Sequence, residues 1–231
     1  YLGMSPAPTF DFVEAFWGYR HIEKTPLDLY RISNSRDFGV AYKGTADEGK
    51  LFYHVMLGNG TGTGSETNEG KKAMLSVGYN FSPTFTAQFY ADYEDRPDHT
   101  NRNTYQGFLG LKTERARYGL LYAWQNREQQ GAPDAPVSLA SIFGAWDVSE
   151  KSSLVARYDH NFDGYPDASQ IPYLVFANNT EFDFAILGWN YQFNQQISFG
   201  PNLEYTAYRE TDGIPAPDND LMIRGTLYYQ F

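Results

Sequence analysis

The sequence predicts an all-β protein, an antiparallel transmembrane β-barrel, and three observations carry that expectation. From Arg36 onward, apolar and polar residues alternate with period two in segments of roughly ten residues, the length a tilted strand needs to cross a bilayer. The connections between them alternate between tight ("ADEG", "SPT", "TER", "SEK", "NQQ") and long and polar ("TGTGSETNEG", "RPDHTNRN", "EQQGAPDAP", "HNFDGYPDASQIPY", "ETDGIPAPDND"). That pattern is expected when one rim of a barrel faces the periplasm and the other the outside. Finally, 17% of the 231 residues are aromatic, with 19 Tyr and 17 Phe, although the mean hydropathy is −0.54. A surplus of strand-forming, interfacial aromatics in a polar chain suits a wall that is wet inside and apolar outside. A soluble sandwich also alternates, but its strands are usually about 5 to 6 residues long and its apolar faces must meet.

The elements follow in order. Tyr1 to Ser5 reads as a first strand. The stretch "PAPTFDFVEAFWGYRHIEKTPLDLYR", Pro6 to Arg31, does not alternate; it has weak helical spacing, broken at "TP", where the residue before proline is pushed away from helix. It gathers Glu14, Arg20, His21, Glu23, Lys24, Asp28 and Arg31 among Phe16, Trp17, Tyr19 and Tyr30. Aromatics of this kind can anchor a segment to a wall while its charges face water, so a helix that plugs or caps one end of the barrel is one reading of it.

In "KKAMLSVGYNFS", Ala73, Leu75, Val77, Tyr79 and Phe81 share one face, and Lys72, Met74, Ser76, Gly78 and Asn80 the other. "FTAQFYADYE" repeats the division after the short "SPT" turn, with Phe85, Phe89 and Tyr93 opposed to Gln88, Tyr90, Asp92 and Glu94. "QQISFGPNLEYTAY" and the last segment, "DLMIRGTLYYQF", do the same. "VSLASIFGAW" and "FDFAILGWNYQF" are apolar on both faces, which predicts a bulge or a subunit contact there. With the first strand, these make about twelve strands in a single domain over 1–231, with no composition shift along it.

Parity places Lys43, Lys72, Lys112, Arg117, Arg127, Arg157 and Arg224 on the inner face, against Asp37, Asp92, Glu94, Asp159 and Glu204. The balance is mixed and slightly basic, with no dense basic run of the kind a phosphate site requires. The formal net charge of −10 argues against nucleic acid as a partner. No cysteine is present, so disulfides and thiolate metal sites are excluded. His21, His54, His99 and His160 show no metal-ligand spacing, and neither a metal nor a cofactor is expected. "YDHNFDGYPDAS" lacks the regular spacing and terminal Glu of an EF-hand and reads as an external loop.

Four fragments, "FWGYRHIEKTPLDLYR", "SRDFGVAYKG", "YHVMLGNGTG" and "YADYEDRP", together resemble outer-membrane porins of the phosphate-selective type. The resemblance covers most of the chain through about Tyr122 and is carried beyond it by strand patterning and the terminal aromatic. It implies a homotrimeric, water-filled barrel in the bacterial outer membrane, with residues 9–34 as an inward-folded constriction loop bearing Glu14, Arg20, His21, Glu23, Lys24, Asp28 and Arg31. It implies a pore wall that includes Lys43, Lys72, Asp92, Glu94, Lys112, Arg117, Arg157, Glu204 and Arg224. It implies that Tyr229 and Phe231 belong to a C-terminal signal for the barrel assembly machinery, and that outer-membrane lipids, lipopolysaccharide and small hydrophilic solutes are the partners. In a sixteen-stranded porin such a loop follows the fifth strand, so four strands upstream of Tyr1 are expected to be absent from this sequence. A barrel of about twelve strands closing on itself is the alternative.

Passive diffusion of small hydrophilic solutes and ions follows from this reading, with no enzymatic chemistry. A substrate-specific anion or carbohydrate channel remains open beside it. So does an outer-membrane hydrolase of the phospholipase type, which needs a Ser and a His together on the lipid-facing wall, whereas parity turns His54 inward without a matched Ser. The outward Phe and Tyr faces argue against a soluble sugar-binding sandwich.

Overall fold

A computed structural model of the chain describes all residues except 167, 172, 173, 175, 212, 214 and 231. Its strands are β1 (Leu2–Pro6), β2 (Arg36–Ala46), β3 (Leu51–Gly58), β4 (Lys72–Asn80), β5 (Phe85–Glu94), β6 (Arg102–Lys112), β7 (Ala116–Arg127), β8 (Val137–Ser149), β9 (Ser152–Asn161), β10 (Phe182–Gln192), β11 (Ile197–Tyr208) and β12 (Asp220–Tyr229). They form one antiparallel sheet in which each strand pairs with its sequence neighbours. Among the described residues β1 pairs with β2 alone and β12 with β11 alone, so the sheet keeps two edges. Among the described residues no helix is long and apolar enough to cross a membrane.

Side-chain alternation sorts the wall as the period-two pattern requires. Along β4 the inner residues Lys72, Met74 and Ser76 are buried while Leu75 and Val77 are exposed. The exposed face carries aromatics at two levels. Tyr42 and Tyr53, Tyr79 with Phe81 and Phe85, Tyr118 with Trp146, and Tyr191 with Phe193 lie toward the short turns. Tyr105 with Trp124, and Tyr122 with Phe162, lie toward the long loops. Between them stand exposed aliphatics such as Val55, Leu75, Leu109, Ile142, Leu187 and Leu203. Phe85 and Tyr93 on β5 are separated by about 26 Å of strand at roughly 3.3 Å per residue, which at a tilt of about 35–45° projects to about 20 Å, most of the height of an apolar band between aromatic girdles.

The sheet curls around the segment between β1 and β2. Both ends of that segment lie at the long-loop rim, where Ala7 N donates to Ser35 O at 3.0 Å. From there it reaches Lys43 on β2, Gln106 on β6, Asn190 on β10 and Arg224 on β12, which a flat sheet could not bring together. Helix α1 (Pro8–Trp17) starts at a proline whose missing N–H costs nothing in the first turn, and its Phe10, Val13 and Trp17 fall on one buried stripe. It stops at Gly18, whose φ of 72° suits the left-handed cap and whose N–H donates to Glu14 O at 2.8 Å. A Cβ there would lie 2.7 Å from the Arg117 guanidinium, a second reason for glycine. A shorter helix, α2 (Pro26–Leu29), again begins on proline.

The apolar core lies inside the barrel, between this segment and the inner wall. Val13, Trp17, Tyr19, Ile22, Leu29 and Tyr30 pack with Phe108, Leu121, Phe143, Phe184 and Ile186 of β6 to β10. This explains the two-faced strands: the inner apolar residues of β8 and β10 receive the inserted segment, and a subunit contact is not needed to account for them. The register of β8 with β9 shifts between Asp147 and Ser149, just beyond the two-faced stretch 137–146, which itself pairs in continuous register. Ile22 fits because β11 offers Gly200 there; a Cβ at Gly200 would stand 3.1 Å from Ile22 Cγ1.

The loop from 162 to 181 differs from the simple external loop read from its sequence. It leaves the long-loop rim, but Tyr165, Ala168, Ile171, Leu174 and Phe176 are buried against the inserted segment. Phe176 stacks on Phe182 with centroids 4.6 Å apart, and Tyr30 lies 5.7 Å from Phe176. Asp159, at the start of the calcium-like stretch, belongs to β9, and Asp167 within that stretch lies outside the described residues.

Candidate functional site

The inserted segment is fixed to the wall by buried ionic contacts. Arg157 of β9 and Asp159, both with fully buried side chains, are bonded to each other, with Arg157 Nε 2.9 Å from Asp159 Oδ1. The Arg157 guanidinium also donates to the Lys24 backbone carbonyl and lies 5.9 Å from the Trp17 ring centre. Tyr30 donates its hydroxyl to Asp159 at 2.7 Å, and burial pushes the Tyr30 phenol well above its usual range. Arg224 of β12 stands 2.9 Å from Glu23 and 3.3 Å from Glu204, one cation between two carboxylates. The Glu23 backbone carbonyl accepts Trp17 Nε1 at 2.8 Å, so the turn 18–24 is held from both sides.

Within the segment, Arg20 joins Glu14 at 3.2 Å to Asp28 at 2.8 Å, tying α1 to α2. Burial raises the Glu14 carboxyl above its ordinary value, with Arg20 pulling the other way. His21 bonds Asn190 Oδ1 through Nε2 at 2.8 Å and stacks on Tyr228, centroids 5.0 Å apart. Arg31, at φ 55°, reaches the long-loop side and donates to Gln170 O at 3.1 Å.

On the wall, Lys43 pairs with Asp11 of α1 at 2.7 Å. Lys72 is buried between Asp92 at 2.9 Å and Glu94 at 3.4 Å. Arg117 lies 5.0 Å over the Tyr19 ring, and Lys112 borders a recess by Phe12 and Phe16 at the short-turn end. These side chains lie on the inner face, but Lys72, Asp92, Arg157 and Glu204 do not face open water; they are buried and paired. His54 also points inward, with both ring nitrogens buried and Nδ1 3.9 Å from Asp11. Tyr229 faces outward and is exposed, while Phe231 lies outside the described residues. Asp11 and Asn190 were not singled out in the sequence; an inward Lys43 in need of a counter-charge was the one signal for Asp11.

Two cavities lie on opposite sides of the segment. One, of about 440 Å³ at the long-loop rim, is bordered by Arg31, Lys72, Arg96, Arg102 and Arg127 together with Glu94 and Asp95. The other, of about 680 Å³ at the short-turn rim, is bordered by His21, Arg117, Asn190, Gln192 and Tyr228 among others. Among the described residues no cluster of His, Asp or Glu could hold a metal ion.

Burial lowers the pKa of His21 below the ordinary imidazole value of 6.5, with the Asn190 bond opposing in part. A folded-state pKa below the unfolded one means that the stability His21 contributes is present above pH 6.5 and is lost as pH falls through the lowered value. The expected NMR titration of His21 has its midpoint below 6.5, accompanied by loosening of the Tyr228 contact; a midpoint at or above 6.5 would contradict the buried, neutral ring.

No family model matches the chain, and none of the curated proteins does. Solved structures do match. The fold superposes on OmpT (in-vitro folded), an outer membrane protein of Vibrio cholerae, with a TM-score of 0.68 and 14% identity over 99% of this chain and 75% of that one. It superposes on Salmonella typhi OmpF in complex with daunomycin with a TM-score of 0.66 and 12% identity over 98% of this chain and 73% of that one. An anion-selective porin from Comamonas acidovorans gives a TM-score of 0.62 at 12% identity over 99% and 69%. The chain therefore has the fold of the porin-type outer-membrane β-barrels.

Proposed function

We propose that the protein is an outer-membrane porin, a water-filled channel whose polar interior is narrowed by the segment 9–34 and through which small hydrophilic solutes and ions diffuse passively.

 The observation that carries this reading is one charged segment, folded inward from the long-loop rim and flanked by a cavity on each side, within a wall whose outer face is apolar. A pore needs no covalent step: its lumen exchanges a solute's hydration for wall contacts, and its narrowest point sets size and charge preference. Glu14, Arg20, His21, Glu23, Lys24, Asp28 and Arg31 on the segment, and the wall residues paired with them, are the proposed constriction. Residence in the bacterial outer membrane, assembly as a homotrimer and contact with lipopolysaccharide belong to the same reading. One of the matched structures of the Vibrio cholerae protein is described as a trimer form.

Among the described residues the interior lacks the dense basic run that selectivity for phosphate requires. Cations and carboxylates alternate along the interior, as in Lys43 with Asp11, Lys72 with Asp92, and Arg224 with Glu23 and Glu204, so the fields largely cancel. Reconstituted in planar bilayers, the protein is expected to give discrete conductance steps and a reversal potential close to zero in a salt gradient. Strong anion selectivity would contradict the mixed interior.

One observation favours a hydrolase as the second reading. On the outward wall His160 Nδ1 lies 2.6 Å from Asp183 Oδ1, an arrangement that can orient an imidazole. Asp183 also bonds Arg209 and Tyr158, and no serine is hydrogen-bonded to His160 among the described residues. Phospholipase activity abolished by His160→Ala, in a preparation without conductance, would replace the porin reading with this one.

A further inference from the structure

The two cavities differ in chemistry. Both are lined in large part by amides and hydroxyls, but the long-loop cavity adds five basic side chains to Glu94 and Asp95, whereas the short-turn cavity adds Arg20, Arg117 and Lys151 to Glu14 and Glu150 and gathers Asn190, Gln192 and Gln196 with Ser153, Ser198 and Thr226. Of its charged residues, Glu14 pairs with Arg20 at 3.2 Å and Arg117 lies over Tyr19, while Glu150 and Lys151 are exposed at the rim. Its aromatic element is the stack of His21 on Tyr228, with an interplanar angle of 22° and Tyr228 41% exposed. The Asn190 bond at 2.8 Å fixes the plane of the imidazole.

We propose that this short-turn cavity is a binding subsite for neutral polyhydroxylated solutes the size of a di- or trisaccharide. An amide or hydroxyl both donates and accepts, so a ring of them can meet sugar hydroxyls in either sense, where fixed charges would hold water or counter-ions instead. The exposed part of Tyr228 offers an apolar surface for the C–H face of a pyranose beside those polar groups. The volume of about 680 Å³ lies within the usual range of roughly 300–1,000 Å³ for small-molecule sites. The proposal rests on the porin reading for the route by which a solute arrives, but not for binding itself.

Two measurements on the full chain separate the proposal from the reading beneath it. Isothermal titration of the detergent-solubilised protein with maltotriose is expected to give saturable binding, and polyethylene glycol of matched hydrodynamic radius, which lacks hydroxyl donors along its chain, is expected to give none. Tyr228→Ala should weaken maltotriose binding about three- to tenfold, the worth of one aromatic contact, while Tyr228→Phe should retain it. In planar bilayers maltotriose should lower the conductance of the unmodified protein. Absence of conductance with maltotriose binding intact would sink the porin reading and leave the subsite standing. Conductance with no maltotriose binding, or equal response to the glycol, would overturn the subsite, and the unmodified protein decides this even if the alanine variant does not fold.

Discussion

Arg157→Met is expected to lower the stability of the folded barrel by about 3–5 kcal/mol, because it leaves Asp159 as an uncompensated buried charge. Both side chains of the pair are fully buried, and Asp159 would keep only the Tyr30 hydroxyl as a donor among the contacts described above. The same change removes the donor to the Lys24 carbonyl and the cation beside Trp17, so the turn 18–24 loses its hold on β9. Urea denaturation in detergent micelles, followed by tryptophan fluorescence, checks the magnitude. The double variant Arg157→Met with Asp159→Leu should recover much of the loss, since replacing both partners removes the orphaned charge. A single variant within about 1 kcal/mol of the unmodified protein, the range of an exposed pair, would show that the pair is solvated.

Trp17→Ala is expected to cost about 3–5 kcal/mol and, if the inserted segment is the constriction proposed above, to change the conductance as well. Trp17 is 1% exposed, meets Phe143 edge-on at 5.1 Å and donates to the Glu23 carbonyl. Removing it opens a cavity between segment and wall and frees the backbone that presents Glu23 to Arg224. Single-channel recordings should then show a larger and noisier conductance than the unmodified protein. Conductance and denaturation midpoint both unchanged would exclude the segment as the narrow point. Because Arg157 lies against the Trp17 ring, the two substitutions share a contact and should not add; a double-mutant cycle should return a coupling of about 0.5–3 kcal/mol.

Much of this architecture was legible in the chain. The faces of β4, β5, β11 and β12 follow from a period of two, and the tight turns and long loops from the Gly, Pro, Asn and Asp clusters that interrupt it, both set by near neighbours in the chain. The candidate constriction was legible as an interruption: Pro6 to Arg31 breaks the alternation and mixes charges with aromatics. What was not legible is which charge meets which. Tyr30 and Asp159 are 129 residues apart, and Glu23 and Arg224 are 201 apart, so no local rhythm connects them.

The apolar inner faces of β8 and β10 show where the two kinds of information meet. Their sequences announced that both faces avoid water, yet only the fold showed that the inner face receives Trp17, Tyr30 and Ile22. The loop 162–181 read as polar and external because Gly, Pro and Asp dominate its beginning, while its scattered Tyr165, Ile171 and Phe176 follow no period and become a buried set only against Tyr30. By itself the sequence determined the strands, their faces and the place of the inserted segment, since alternation and turn chemistry act between adjacent residues. The tertiary structure alone decided that Lys72 with Asp92 and Arg157 with Asp159 are buried as pairs and which residues border the two cavities, because burial and ion pairing depend on what the curled sheet brings within a few ångströms.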